Sequence, residues 1–239
     1  MQLGTNQTPF MQSLEDWGKL NNKPTHYPAG IYEMQTKLNI TRAPQMIGVG
    51  GGQGSTRTNR FETARRLVGT VFYSRVVGDY CVSTSAPSFD FGGRIENITM
   101  LGNLTYAETR IVGHGWYMNN FGWSGQVTNL SIDGFIGINL GLGYLQDTHF
   151  DNLTLLHGAN GQFEPMLEFS ARSNFIYFNG AHIEESGAMI RVRDGTNGPF
   201  EIQFNETHFE VGNYFNGAAA AAGDPELEFR YSTPVIFSN

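Results

Sequence analysis

Charged side chains are scarce in this chain. Only 15% of its 239 residues are Asp, Glu, Lys or Arg, against roughly 25% in a typical soluble domain. The few charges leave a formal net of −7. No basic stripe exists to neutralise phosphates, so no nucleic-acid partner is expected. The lone Cys81 cannot close an intrachain disulfide, which fits assembly in a reducing cytoplasm. No run of about 18 apolar residues occurs, so no membrane-spanning helix is expected. The opening MQLGTNQTPF lacks a basic stretch followed by an apolar one, so no secretory signal is expected. Metal and nucleotide signatures are missing too. There is no H-E-x-x-H, no paired C-x-x-C and no G-x-S-x-G. The glycine run from Gly48 to Gly54 lacks the Lys-Ser/Thr of a P-loop and fits a turn better. Neither a metal nor a cofactor is expected.

Glycine and asparagine are what the chain has instead, with 30 and 20 residues. That composition favours turns and strands over helices. At 40% apolar residues the chain can bury one substantial core. A six-residue block then organises it. The block reads Ile95-Glu96-Asn97-Ile98-Thr99-Met100, Val127-Thr128-Asn129-Leu130-Ser131-Ile132 and Phe150-Asp151-Asn152-Leu153-Thr154-Leu155. Degenerate copies start at Phe178 and Phe204, giving separations of 32, 23, 28 and 26 residues. A period in the twenties is the length of one solenoid coil.

Within the block, the fourth and sixth positions alternate with polar ones, so a strand points Ile98/Met100, Leu130/Ile132 and Leu153/Leu155 into a core. The fifth position, Thr99, Ser131, Thr154, His182 and His208, forms an outward column. The third-position asparagines sit at a bend, where Asn tolerates left-handed angles and its amide bonds along a stack. Seven Asn-x-Ser/Thr triplets, among them Asn6, Asn39 and Asn103, also suit a glycoprotein. The missing export signal and the fixed place of several copies in the repeat favour the ladder. An antiparallel sandwich predicts turns every 8–12 residues and no fixed position within a longer period. The expected fold is therefore an all-β, right-handed single-stranded parallel β-helix.

Both ends have their own signals. Thr8-Pro9 is a helix start, with Phe10, Leu14 and Trp17 as a buried stripe and Gly18 as the stop. Such a short capping helix closes the open end of a solenoid. The expected division is 1–24 as attachment segment and capping helix, 25–212 as β-helix and 213–239 as closing segment. Five alanines between Gly217 and Gly223, then Asp224-Pro225, mark the break, and Tyr231 to Phe237 reads as a closing strand.

A capping helix, the turn Tyr27-Pro28-Ala29-Gly30-Ile31-Tyr32, a β segment and Gly48-Val49-Gly50-Gly51 resemble the opening coil of pectate-lyase-like β-helices of bacteriophage tailspikes. Phe178-Asn-x-x-His182-Ile183-Glu184 and Phe204-Asn-x-x-His208-Phe209-Glu210 are similar to later coils of that superfamily. The resemblance covers about residues 8–212. It implies a virion protein of the phage tail, assembled in the host cytoplasm. It also implies a homotrimer that docks to a tail or adaptor protein near its N-terminus and recognises a bacterial surface polysaccharide. Two other readings stay open: a structural or adhesive virion protein without turnover, and a free polysaccharide lyase or hydrolase. Gly113-His114-Gly115 resembles a polygalacturonase motif but lacks the preceding aspartate pair.

Two features suggest chemistry. One place past each block stand Leu101, Asp133, Leu156, Glu184 and Glu210, all expected outward. With coils ~4.8 Å apart, Glu184 and Glu210 become neighbours and Asp133 stands two coils from Glu184. Acids ~5 Å apart suit a retaining glycosidase and ~6.5–9.5 Å an inverting one. The candidate catalytic residues are thus Glu184 and Glu210, with Asp133, and His182 and His208 stand beside them as substrate-binding candidates. The other reading is a solvated or His-paired ladder. The second feature lies between Tyr106 and Gln126, expected as a long insertion. Its rings, including Trp116, Tyr117 and Trp123, either stack on sugars or bury between subunits.

Overall fold

The computed structural model describes residues 5–50, 69–87, 92–102, 113–121, 123–135, 137–156, 165–170, 173–186, 190–192, 201–211, 227–229 and 235–238. Their order is one helix followed by short strands. α1 (Thr8–Asn21) precedes a first coil of β1 (Thr25–His26), β2 (Gly30–Met34) and β3 (Leu38–Ile40). The second coil holds β4 (Gln45–Ile47), β5 (Thr70–Ser74) and β6 (Tyr80–Ser85). In the third and fourth the first two strands fuse: β7 (Arg94–Leu101) with β8 (His114–Asn119), then β9 (Gln126–Asp133) with β10 (Leu140–Leu142). The fifth has β11 (Gln146–Asp151), β12 (Thr154–Leu156) and β13 (Leu167–Phe169). The sixth has β14 (Asn174–Asn179), β15 (His182–Ser186) and β16 (Ile190–Val192). The seventh has β17 (Ile202–Asn205), β18 (His208–Val211) and β19 (Leu227–Phe229), and β20 (Val235–Ser238) begins an eighth.

Every strand pairing among the described residues is parallel. One sheet runs β1-β4-β7-β9-β11-β14-β17-β20, with β2, β5, β12, β15 and β18 joined to it, and the other runs β19-β16-β13-β10-β8-β6-β3. Strands adjacent in a sheet come from successive coils, which is a parallel β-helix solenoid with a short N-terminal helix. An antiparallel sandwich is ruled out.

The block register is the one its pattern dictates. Ile95, Val127, Phe150, Phe178, Phe204 and Phe237 align across six coils. The last four stack ring on ring, with centroids 4.9, 4.8 and 5.4 Å apart. Phe150, Phe178 and Phe204 are buried, and each such ring contributes ~1.5–3 kcal/mol relative to exposure, whereas Phe237 is 53% exposed. Ile98, Leu130 and Leu153 are fully buried, as are Met100, Ile132 and Leu155.

Between these strand halves the chain bends in the left-handed region at Asn97, Asn129 and Asn152, with φ of 55°, 53° and 56°. Asn129 donates its amide to Asn97 Oδ1 at 2.9 Å, and Asn152 donates to Asn129 Oδ1 at 3.2 Å. Gly180 and Glu206 take the same left-handed place in the next coils. Beside the bend runs a second ladder: Asn179 donates to Asp151 and Asn205 donates to Asn179, both at 2.8 Å.

The helix caps the first coil by a different face from the expected one. Met11, Glu15 and Gly18 are buried, with Leu14 packed partly against the core, while Phe10 is 62% and Trp17 51% exposed. The reason is polar. The Glu15 carboxylate accepts the Thr25 and Tyr27 hydroxyls at 2.7 Å each and meets Arg42 Nη2 at 3.2 Å. Those bonds fix the rotation of the helix. Burial and the adjacent Glu15 push the Tyr27 phenol far above its ordinary pKa. Gly18 is not the stop: a Cβ there would lie 2.5 Å from Arg42 Nη2 and 2.7 Å from Thr25 Cγ2. The helix ends instead at Asn22, left-handed at φ 50°. The helix begins at Thr8, with Gln7 as N-cap. The Thr8 hydroxyl donates to the Thr36 carbonyl at 3.2 Å, tying helix to coil.

β19 and β20 continue the ladders, so Val235–Ser238 forms one more coil strand. The alanine run and Asp224-Pro225 lie outside the described residues, as does Gly51 to Gly54. Among the described residues no helix is long and apolar enough to cross a membrane.

Candidate functional site

The acid column follows directly from the strand register. Leu101 pairs with Asp133, Asp133 with Leu156, Leu156 with Glu184, and Glu184 with Glu210. Glu184 and Glu210 therefore sit on neighbouring strands, ~4.8 Å apart at the backbone, and Asp133 stands two steps, ~10 Å, from Glu184. Two residues earlier, the fifth-position column pairs Thr99 with Ser131, Ser131 with Thr154, Thr154 with His182, and His182 with His208. The His182 and His208 rings are exposed, with centroids 5.7 Å apart. Thr99, at the other end of the column, is buried.

The aromatic segment is not one insertion. Within it, residues 114–119 form β8, a coil strand whose side chains alternate. Trp116 falls in the inward column with Val82 and Leu140, is fully buried, and donates Nε1 to Thr84 Oγ1 at 2.9 Å. It cannot stack on a sugar and leaves the set of substrate-binding candidates. Phe121 is also in the core. Tyr117 faces outward, half-buried, with its ring 5.2 Å from Tyr80. Trp123 is 43% exposed and lies on the other sheet, bridged to Gln146. Tyr106 lies outside the described residues.

A second group stands on the other side of the asparagine bend. Arg94, Gln126, His149, Tyr177, Gln203 and Ile236 form an outward column. In it His149 and Tyr177 stack, centroids 4.5 Å apart and planes 19° apart. Asp147 Oδ1 lies 3.6 Å from His149 Nε2, and Asp147 Oδ2 accepts the Ser124 hydroxyl at 2.8 Å. Burial, then Glu201 and Asp147, raise the Tyr177 phenol above its usual pKa. Ser124, Asp147 and Phe175 are left-handed, at φ 56°, 47° and 56°. For a bulky Phe that conformation is a true outlier, and its ring is 47% exposed.

No family model matches the chain, and no curated protein matches it significantly. Among solved structures, ORF18 of Geobacillus virus E2 superposes with a TM-score of 0.75 at 13% identity. The fold is shared with a virus protein. The match covers 99% of this chain but 45% of that one, so the chain spans less than half the length of its structural neighbour. The Agl-KA catalytic domain gives a TM-score of 0.27 at 10% identity over 98% of the chain and 66% of that domain, too low to carry an argument.

Sequence reasoning missed His149, Tyr177, Phe175 and Asp147. Two of them could have been found: His149 and Tyr177 each precede the first position of a block copy, at Phe150 and Phe178. Phe175 and Asp147 carried no signal, because Ser, Asp and Phe at one backbone place share no chemistry.

Proposed function

We propose that this chain is a phage virion protein of the tailspike kind, which recognises a bacterial surface polysaccharide and cleaves it. In this reading Glu184 and Glu210, with Asp133, act as acid and base, and the histidines His182 and His208 contact the glycan. The carrying observation is the backbone register, which sets two glutamates on adjacent strands one coil apart. Two glutamates one coil apart match the spacing that glycoside hydrolysis with retention uses. The likeness to a protein of Geobacillus virus E2 supports the virion setting. A homotrimer docked to a tail or adaptor protein by residues near the N-terminus belongs to the same proposal.

Release of reducing ends from host envelope polysaccharide tests the chemistry. Glu184→Gln and Glu210→Gln are each expected to lower turnover at least about 100-fold. Unchanged turnover in both removes the assignment. Binding without cleavage is a second reading. It is favoured by the His149–Tyr177 stack and the exposed Trp123, which lie before the bend and away from the acid column. Retention of cells without soluble product is its signature.

A further inference from the structure

Three exposed or half-exposed aromatic groups converge on one stretch of the long sheet, before the asparagine bend. Trp123 bridges Gln146, Gln146 pairs with Asn174, and Phe175 follows Asn174. Trp123 and Phe175 are therefore two coils apart, ~10 Å along the solenoid axis. The His149–Tyr177 stack occupies the same two coils as Asp147 and Phe175, two residues further along each strand. Such rings ordinarily go to the core. Here the inward places are already filled by Thr148, Phe150, Ile176 and Phe178, all fully buried.

Among the described residues, the charged groups nearest the rings are mostly acidic. Asp147 and Asp151 stand in the fifth coil, and Glu201 and the exposed Glu206 flank β17 in the seventh. On the same column, Arg94 is paired with Glu96. Gln126 supplies an amide, while Gln203 donates its amide to the Glu201 carboxylate. An apolar ring face with amide and carboxylate neighbours suits a sugar, whose C–H face packs on rings while its hydroxyls donate to carboxylates. A polyanionic glycan would meet like charge, whereas an ammonium finds both carboxylates and ring faces.

We infer that Trp123, Phe175 and the His149–Tyr177 pair, flanked by Asp147 and Glu201, form a glycan-binding platform selective for neutral or amino-sugar polysaccharides over uronate-rich ones. This rests on polysaccharide recognition as proposed above and names its sugar class and place. The platform lies across the bend from Glu184 and Glu210, so it holds chain that the acid column does not touch.

The test is a printed array of neutral, amino-sugar and uronate-containing bacterial polysaccharides, probed with the whole labelled protein. Wild type is expected on neutral or amino-sugar spots. Trp123→Ala and Phe175→Ala should each lower that signal roughly tenfold, the size of one lost aromatic contact. Phe10→Ser, on the cap helix, serves as a folded control and should match wild type. Far-ultraviolet circular dichroism confirms that each variant keeps its strands. Asp147→Asn with Glu201→Gln should raise the signal on uronate spots. Retention on uronate spots alone overturns the sugar class. Undiminished binding by both aromatic variants overturns the platform while leaving polysaccharide recognition standing. No retention anywhere overturns both.

Discussion

Asn129 shows how one side chain serves the stack twice. Its backbone sits at φ 53°, where a β-branched residue is strained, and its amide both donates to Asn97 and accepts from Asn152. Asn129→Gly keeps the backbone and loses two hydrogen bonds, an expected cost of about 1–3 kcal/mol. Asn129→Val adds left-handed strain of about 1–2 kcal/mol more. Urea denaturation should rank wild type above Gly and Gly above Val; equal midpoints for the two variants would contradict the left-handed bend. These asparagines were legible in the sequence because backbone and side chain make the same demand at a fixed place. Trp116 was not. Its segment lacks the block, and its alternation with Met118 is easily read as an aromatic loop. Only the ladder to Leu140 and Val82 reveals the inward column.

At the scale of one element, α1 is held less by apolar burial than by Glu15. Thr25, Tyr27 and Arg42 all direct polar hydrogens at its carboxylate, which is buried against the first coil. Removing one partner of a buried ion pair leaves an uncompensated charge, which costs about 3–5 kcal/mol. Glu15→Ala is expected to destabilise by that order, measured by chemical denaturation. Glu15→Gln, which still accepts the Thr25 and Tyr27 hydroxyls, should cost less. A Glu15→Ala protein as stable as wild type would show that the cap does not depend on this site. The sequence signalled a helix here through Thr8-Pro9 and its apolar spacing. It could not signal the rotation, because Glu15 reads as a surface residue until Arg42, 27 positions away, is brought beside it. The exposed Phe10 and Trp17 follow from that rotation.

Across the whole molecule, the repeated block specified the register of the third to seventh coils. A one-residue slip would turn every buried side chain outward. The first two coils have no block. Their ladder passes through Thr25 and Met46 on strands of two and three residues, too short for a periodic signal. The acid and histidine columns were legible because they are corollaries of the same register. The His149–Tyr177 surface lies just outside the six positions that repeat.

Register is therefore the central claim, and engineered disulfides test it most directly. Bridging needs Cα atoms about 4.4–6.8 Å apart. Ser131 and Thr154 are partners on adjacent coils, both half-buried, while His182 is one coil further. Cys81 does not compete, since it is buried and burial pushes its thiol pKa up to about 12. Under mild oxidation S131C/T154C should close an intramolecular disulfide in the folded protein, read by peptide mass mapping, and S131C/H182C should not. Closure of the second pair without the first would contradict the stacking of coils.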